Sequence, residues 1–438
     1  MKNLPRWLIT GAVVLAALVL INCSPKNSPA TLETGSVIFI HPDGSGVNLF
    51  AAMRMLKVGP DGMTEWDQLD HAGIYRSHQL HVLGTSSNAG ATAHAFGRKA
   101  EYYDFGIHPD HPITALSGYA GSIMTEAIEA GIAVGVINSG HINEPGSAVF
   151  LASAESRNEH DLIADRIIHS GADLILSGGE IYLIPEGQTG VFGENGQRSD
   201  GRNLIEEARE LGYTVVFTAE ELNALEPSTK KVLGVFAAVH TFNDKKESEL
   251  AKLGLPMYAP HAPTLAEMTD YALKFFKAKG RPFILVVEEE GTDNFGNNNN
   301  ALGTLTALQR ADDAMGVARR FVEANPKTLL VTASDSDAGA MQVHWLGKDE
   351  YDKPLAATQS NGAPQDGPTG AGSLPFIAKA DSKGEVMQFA VSWAAYGDVY
   401  GGVIARSHGL NAHLLPVNTD NTDIYRIMYA TLFGKWLD

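Results

Sequence analysis

The stretch PFILVVEEEGTDNFGNNNNALG, residues 282–303, runs from apolar residues straight into three glutamates, an aspartate and five asparagines. Consecutive apolar positions from Phe283 to Val287 need cover on both faces, as in a parallel sheet buried between helices. In such sheets ligands bind beyond the carboxyl ends of the strands. The oxygen-bearing residues therefore fall where a site is expected.

The same pattern recurs along the chain. SVIFI (36–40) precedes an amphipathic stretch near 47–57. IAVGVIN (132–138), ADLILS (172–177) and YTVVF (213–217) read as further strands, and TLLVTAS (328–334) follows a long helix near 300–324. LIEEAREL and LAEMTDYALKFFKAK are helical patterns between them. This alternation specifies an α/β fold with a mostly parallel central sheet and helices on both faces. Residues 340–400, rich in Gly, Pro and polar residues, read as an irregular insertion in a single domain spanning 36–438. NTDIYRIMYATLF reads as a closing helix capped by Thr419 or Asp420.

With 438 residues and 44% hydrophobic content the chain can bury a large core. Its 51 acidic against 33 basic residues, a net charge of -18, argue against nucleic acid as a partner and would concentrate divalent cations. At the N-terminus Lys2 and Arg6 precede an apolar run from Trp7 to Ile21, too short for a membrane span and suited to an export signal. It ends at Cys23, the chain's one cysteine, and LINC followed by Ser resembles a bacterial lipoprotein processing site, although Asn22 is bulky there. The expectation is a signal at 1–23, a polar tether at 24–35, and a periplasmic or cell-surface lipoprotein whose membrane contact is the lipidated Cys23. A single N-terminal membrane helix is the alternative.

Asp43, Glu144, Glu288, Asp293 and Asp335 follow the ends of at least four strands, which a parallel sheet would bring together. Two carboxylates about 4 Å apart repel by roughly 4 kcal/mol at an effective dielectric near 20. Any one of them alone reads as a helix cap or loop residue; gathered, they call for a divalent cation. GTSSNAGATAHAFG (84–97) sets two serines before a small-residue helix, whose N-terminal amides can meet an anion. Beside a cation such a serine can attack phosphorus, though a serine there is more often merely a cap.

These residues resemble the alkaline phosphatase family over nearly all of 36–435. TSSNAGATAHAFG resembles its nucleophile segment, with Ser87 at the nucleophile and Ser86 where the family has Asp; FIHPDGSG resembles its Gly-Asp-Gly-Met-Gly strand end, so that Asp43 would bridge two metals. The resemblance extends to ADLILSGG, DGRNLIEEARELGY, KVLGVFA and PTLAEMTDYAL, which carry no catalytic duty. It implies an alkaline-phosphatase-like three-layer sandwich, commonly dimeric. It also assigns Glu144 and Glu288 to a magnesium site, Asp293 and Asp335 to zinc sites, and Arg157 to the phosphate oxygens.

The pattern then departs. Asn297 stands where the family has a zinc-binding His, Ser336 where it has another, and WAAYGDVYGGVIA has no third, leaving Asp398 as the nearest candidate ligand and His408 and His413 as remoter ones. Gly146 falls on a Thr or Ser ligand position unless Ser147 substitutes. Oxygen donors suit magnesium, calcium or manganese, whereas zinc prefers imidazole and thiolate. The expectation is a metal-dependent phosphate monoester hydrolase acting through phosphoserine, with a small phosphorylated substrate and Mg, Ca or Mn favoured over Zn. The alternatives are a phosphodiesterase or other anionic-ester hydrolase of the same fold, or a non-catalytic metal- or phosphate-binding lipoprotein.

Overall fold

A computed structural model describes residues 32–108 and 111–438. The expected signal at 1–23 and the tether as far as residue 31 lie outside the described residues. Among the described residues, no helix is long and apolar enough to cross a membrane.

Ten strands form the central sheet: β1 (Ser36–Pro42), β2 (His71–Arg76), β3 (Ala133–His141), β4 (Leu174–Gly178), β5 (Tyr213–Val216), β6 (Lys231–Val235), β7 (Phe283–Glu289), β8 (Thr328–Thr332), β9 (Val403–Gly409) and β10 (Asn418–Asp420). Their order is β10-β2-β9-β8-β1-β7-β3-β4-β6-β5. All run parallel except β9, which opposes both β8 and β2. The expected α/β class and mostly parallel sheet are therefore observed.

Side chains alternate across a strand, and here both sides are apolar. Val37 and Phe39 of β1 enter one core layer with Met124, Ile163 and Met428. Ile38 and Ile40 enter the other with Leu265, Met268 and Leu308, under the helices Leu265–Lys279 and Ala301–Ala324. The closing helix Asn421–Phe433 is capped by Asp420, whose side chain accepts from the Thr422 amide.

Residues 340–400 differ from expectation. They include a small antiparallel sheet in which Gln388–Ser392 pairs with Gln342–Trp345, Gln365–Asp366 and Phe376–Ile377. Gly and Pro in that stretch interrupt strands of two to five residues, too short to show a period in sequence.

Register sets up the site. His41 of β1 pairs with Glu288 of β7, and Glu288 pairs with Asn138 of β3, so three polar side chains stand abreast at the carboxyl end of the central strands. Phe39, fully buried one alternation below His41, packs against Phe150 and the ring of His94. Phe39→Ala should cost about 3–5 kcal/mol of unfolding free energy, seen as a lower denaturant midpoint at unchanged slope.

Candidate active site

Asp43 follows β1 directly, Glu290 follows β7, and Asp335 lies three residues beyond β8. Asp293 sits in the first turn of the helix Gly291–Asn297. Ligand atoms of His41, Asp43 and Glu288 lie within 4.8 Å of one another, as do those of Asp43, Glu290 and Asp293, so Asp43 is common to two groups. The five carboxyls Asp43, Glu288, Glu290, Asp293 and Asp335 are 0–7% exposed. Asp43 Oδ2, Glu288 Oε1, Glu290 Oε2, Asp293 Oδ1 and both Asp335 oxygens have no hydrogen-bond partner in the protein.

Burial pushes Glu288 up to about 8 and, reinforced by neighbouring carboxylates, holds Glu290, Asp293 and Asp335 well above the ordinary range. Burial would raise Asp43 too, but its contact with Asp335 and the charge of His41 outweigh it and hold Asp43 low. Without a cation, then, the fold favours the protonated form at Glu288, Glu290, Asp293 and Asp335.

Asn297 lies one helical turn past Asp293, and its Nδ2 donates to Asp293 Oδ2 (2.9 Å) and to Asp398 Oδ1 (3.2 Å). Asp398 belongs to the cluster accordingly. His408 instead pairs with Asp70 (2.7 Å), and His413 is exposed in a short turn. Gly146 is required by space: a Cβ there would fall 2.0 Å from Glu288 Oε1. Ser147 accepts from Asn138 Nδ2 (2.9 Å), and that same amide donates to Glu288.

Ser87 is 7% exposed and is the first residue of the helix Ser87–Phe96. The cap is Ser86, whose hydroxyl accepts from the Ala89 amide and donates to the Tyr102 carbonyl. That leaves Ser87 as the serine not used for capping. Gly90, three residues on and thus on the same face, abuts Asp335 so closely that a Cβ would fall 2.4 Å from the Asp335 Cβ. The glycine lets the serine-bearing turn approach the carboxylates.

Glu144 and Arg157 form a second part of the site. Arg157 Nη2 donates to Glu144 Oε2 (2.9 Å), while His141 Nε2 meets Glu144 Oε1 (2.9 Å). Glu144 is thus grouped with His141 and His240, not with Glu288. Burial would raise its pKa, but His141, His240 and Arg157 bring it down to about 2. Arg157 is exposed at the rim, in the field of Glu144, Glu290, Asp43 and Asp293.

Sequence reasoning missed His41, His141, His240 and Glu290. His41 was visible in principle, since it shares a face of β1 with Asp43 two residues on. Its Nδ1 donates to the Ala333 carbonyl (2.8 Å) and its Nε2 points at Asp43 (3.2 Å), an orientation in which a neutral imidazole can bind metal. His240 arrives from the loop after β6 with no periodic signal.

The chain belongs to the alkaline phosphatase family, whose model matches residues 35–363. Streptomycin-6-phosphate phosphatase of Streptomyces griseus is 28% identical over 368 residues, 74% of this chain and 79% of that one. Alkaline phosphatase 4 of Bacillus subtilis is 26% identical over 332 residues, 73% of this chain and 65% of that one, so this chain spans less than two thirds of its length. Alkaline phosphatase from Thermus thermophilus shares the fold with a TM-score of 0.71 at 21% identity, over 99% of this chain and 96% of that one. The enzyme of the Antarctic bacterium TAB5 does so at 0.70 and 19% identity, over 92% of this chain and all of that one. One variant of the TAB5 enzyme has Mg bound in a site called M3.

The raised carboxyls make stability depend on pH. Glu288, ordinarily 4.5 and here about 8, stabilises the metal-free fold fully below its unfolded pKa, and that contribution is lost as pH rises through 8. The melting temperature of chelated protein should fall from pH 5 to pH 8.5. Adding Mg should raise it more at pH 8.5 than at pH 5, because binding displaces protons. An equal Mg effect at both values would contradict this.

Proposed function

We propose that this protein is a metal-dependent phosphate monoester hydrolase that works through a phosphoserine on Ser87. The observation that carries the reading is Ser87 itself, free of capping duty at a helix N-terminus that abuts Asp335 through Gly90. Membership of a family of metal-binding phosphatases supports it.

The buried, partnerless carboxylate oxygens fit divalent cations. Asp43, Glu288, Glu290, Asp293 and Asp335 would hold them, with Asn297, Asp398 and His41 Nε2 alongside. Such ions, when bound, supply positive charge that favours an ionised serine and offsets charge on the phosphate oxygens. A donor set that is mostly oxygen favours Mg, Ca or Mn over Zn.

The protein's own groups do the rest. Ser87 Oγ bonds phosphorus as the ester P–O bond breaks; the serine proton passes to solvent and the leaving oxygen takes one up. Water then breaks the phosphoserine P–O bond, which restores the serine and releases inorganic phosphate. Amides at the helix N-terminus face the phosphate oxygens, and Arg157, anchored by Glu144, presents its guanidinium at the rim. An export signal at 1–23 with a lipid on Cys23 would place the reaction outside the cytoplasm.

Ser87→Ala should lower kcat/KM for a phosphomonoester by at least about 10³-fold in protein supplied with Mg, Ca or Mn. Ser86→Ala should keep turnover while costing about 1 kcal/mol of stability as a lost cap. Undiminished turnover in Ser87→Ala would break the nucleophile assignment. Faster hydrolysis of a phosphodiester than of a monoester would move the substrate to the diester class.

A further inference from the structure

Among the described residues, the exposed tyrosines are Tyr102, Tyr103, Tyr396 and Tyr400, two in the segment bonded to the turn of Ser87 and two flanking Asp398 in sequence. Tyr102 and Tyr103 are 38% and 76% exposed, with ring centroids 5.0 Å apart at 83°. Their backbone is tied to the nucleophile's turn on both sides of Ser87: the Tyr102 carbonyl accepts from Ser86 Oγ, and the Tyr103 carbonyl accepts from Asn88 Nδ2 (3.4 Å).

Tyr396 and Tyr400 stand two residues to either side of Asp398, the carboxylate that Asn297 binds. Lys246 Nζ lies 5.0 Å from the Tyr396 ring centroid, a cation–π contact that steadies the ring. Exposed rings gain from a partner that covers them, and a tyrosine covers a planar partner at little entropic cost. An ester with its phosphorus at Ser87 would carry its organic part toward Tyr102 and Tyr103, whose backbone is bonded to that turn.

We propose that the tyrosine rim is a leaving-group subsite for a planar aromatic moiety, so that the preferred substrates are nucleoside or aryl monophosphates and not phosphates of small polyols or sugars. The proposal rests on the reading of Ser87 as the nucleophile. Every base has a π-face, so stacking on these rings would tolerate different bases.

The test compares full-length wild type, Tyr103→Ala, Tyr103→Phe and Tyr396→Ala on AMP, an aryl phosphate, glycerol 3-phosphate and glucose 6-phosphate. Binding of AMP and of inorganic phosphate to each protein is measured in parallel by titration calorimetry. Wild type should favour AMP over glycerol 3-phosphate by tenfold or more in kcat/KM. Tyr103→Ala should cut that ratio about tenfold through KM, and Tyr103→Phe should restore it. AMP should bind more tightly than inorganic phosphate in wild type and lose that advantage in Tyr103→Ala. Equal ratios in wild type and Tyr103→Ala, or a preference for the sugar phosphate, would overturn the subsite. Absence of turnover on all four substrates, with the tyrosine-dependent AMP binding intact, would overturn the hydrolase reading and leave the subsite standing.

Discussion

Carboxylates held together in the dry end of a sheet cannot all be ionised unless a cation stands among them. In this protein five of them converge at the carboxyl ends of the central strands, with oxygen atoms that have no hydrogen-bond partner in the protein. Much of the local structure serves to hold them there. β1, β7 and β3 set His41, Glu288 and Asn138 in register; Gly90 and Gly146 open the space; and the Asn138 and Asn297 amides donate to Glu288 and Asp293. Oxygens bridged by amides and otherwise left bare are arranged for a metal more readily than for a proton.

The central fold was readable because its strands are buried on both faces and appear as unbroken apolar runs, such as FILVV and SVIFI. The edges were not. β2, HAGIYR, alternates buried and exposed residues, and β10 is three residues long, so neither stands out from loop. The antiparallel direction of β9 leaves no mark in GGVIARS, because direction depends on where the preceding connection returns the chain.

In the site, Asp43, Glu288, Asp293 and Asp335 were legible as polar residues abruptly following apolar strands. Asp398 was located through the family pattern, and its tie to Asn297, 101 positions earlier in the chain, could only come from the fold. Glu144 was expected beside Glu288, but Arg157 and His141 occupy its two oxygens. His41 is the opposite case: an imidazole inside a strand, easily taken for core, that faces the metal-binding side. It adds one nitrogen donor beside the carboxylate oxygens of Asp43 and Glu288.

The most direct test of the account is the metal content of protein purified under native conditions, measured by elemental analysis against protein concentration. Mg, Mn or Ca is expected in stoichiometric amount, removable by chelator, with zinc well below one per chain. Two stoichiometric zinc ions per chain would contradict it.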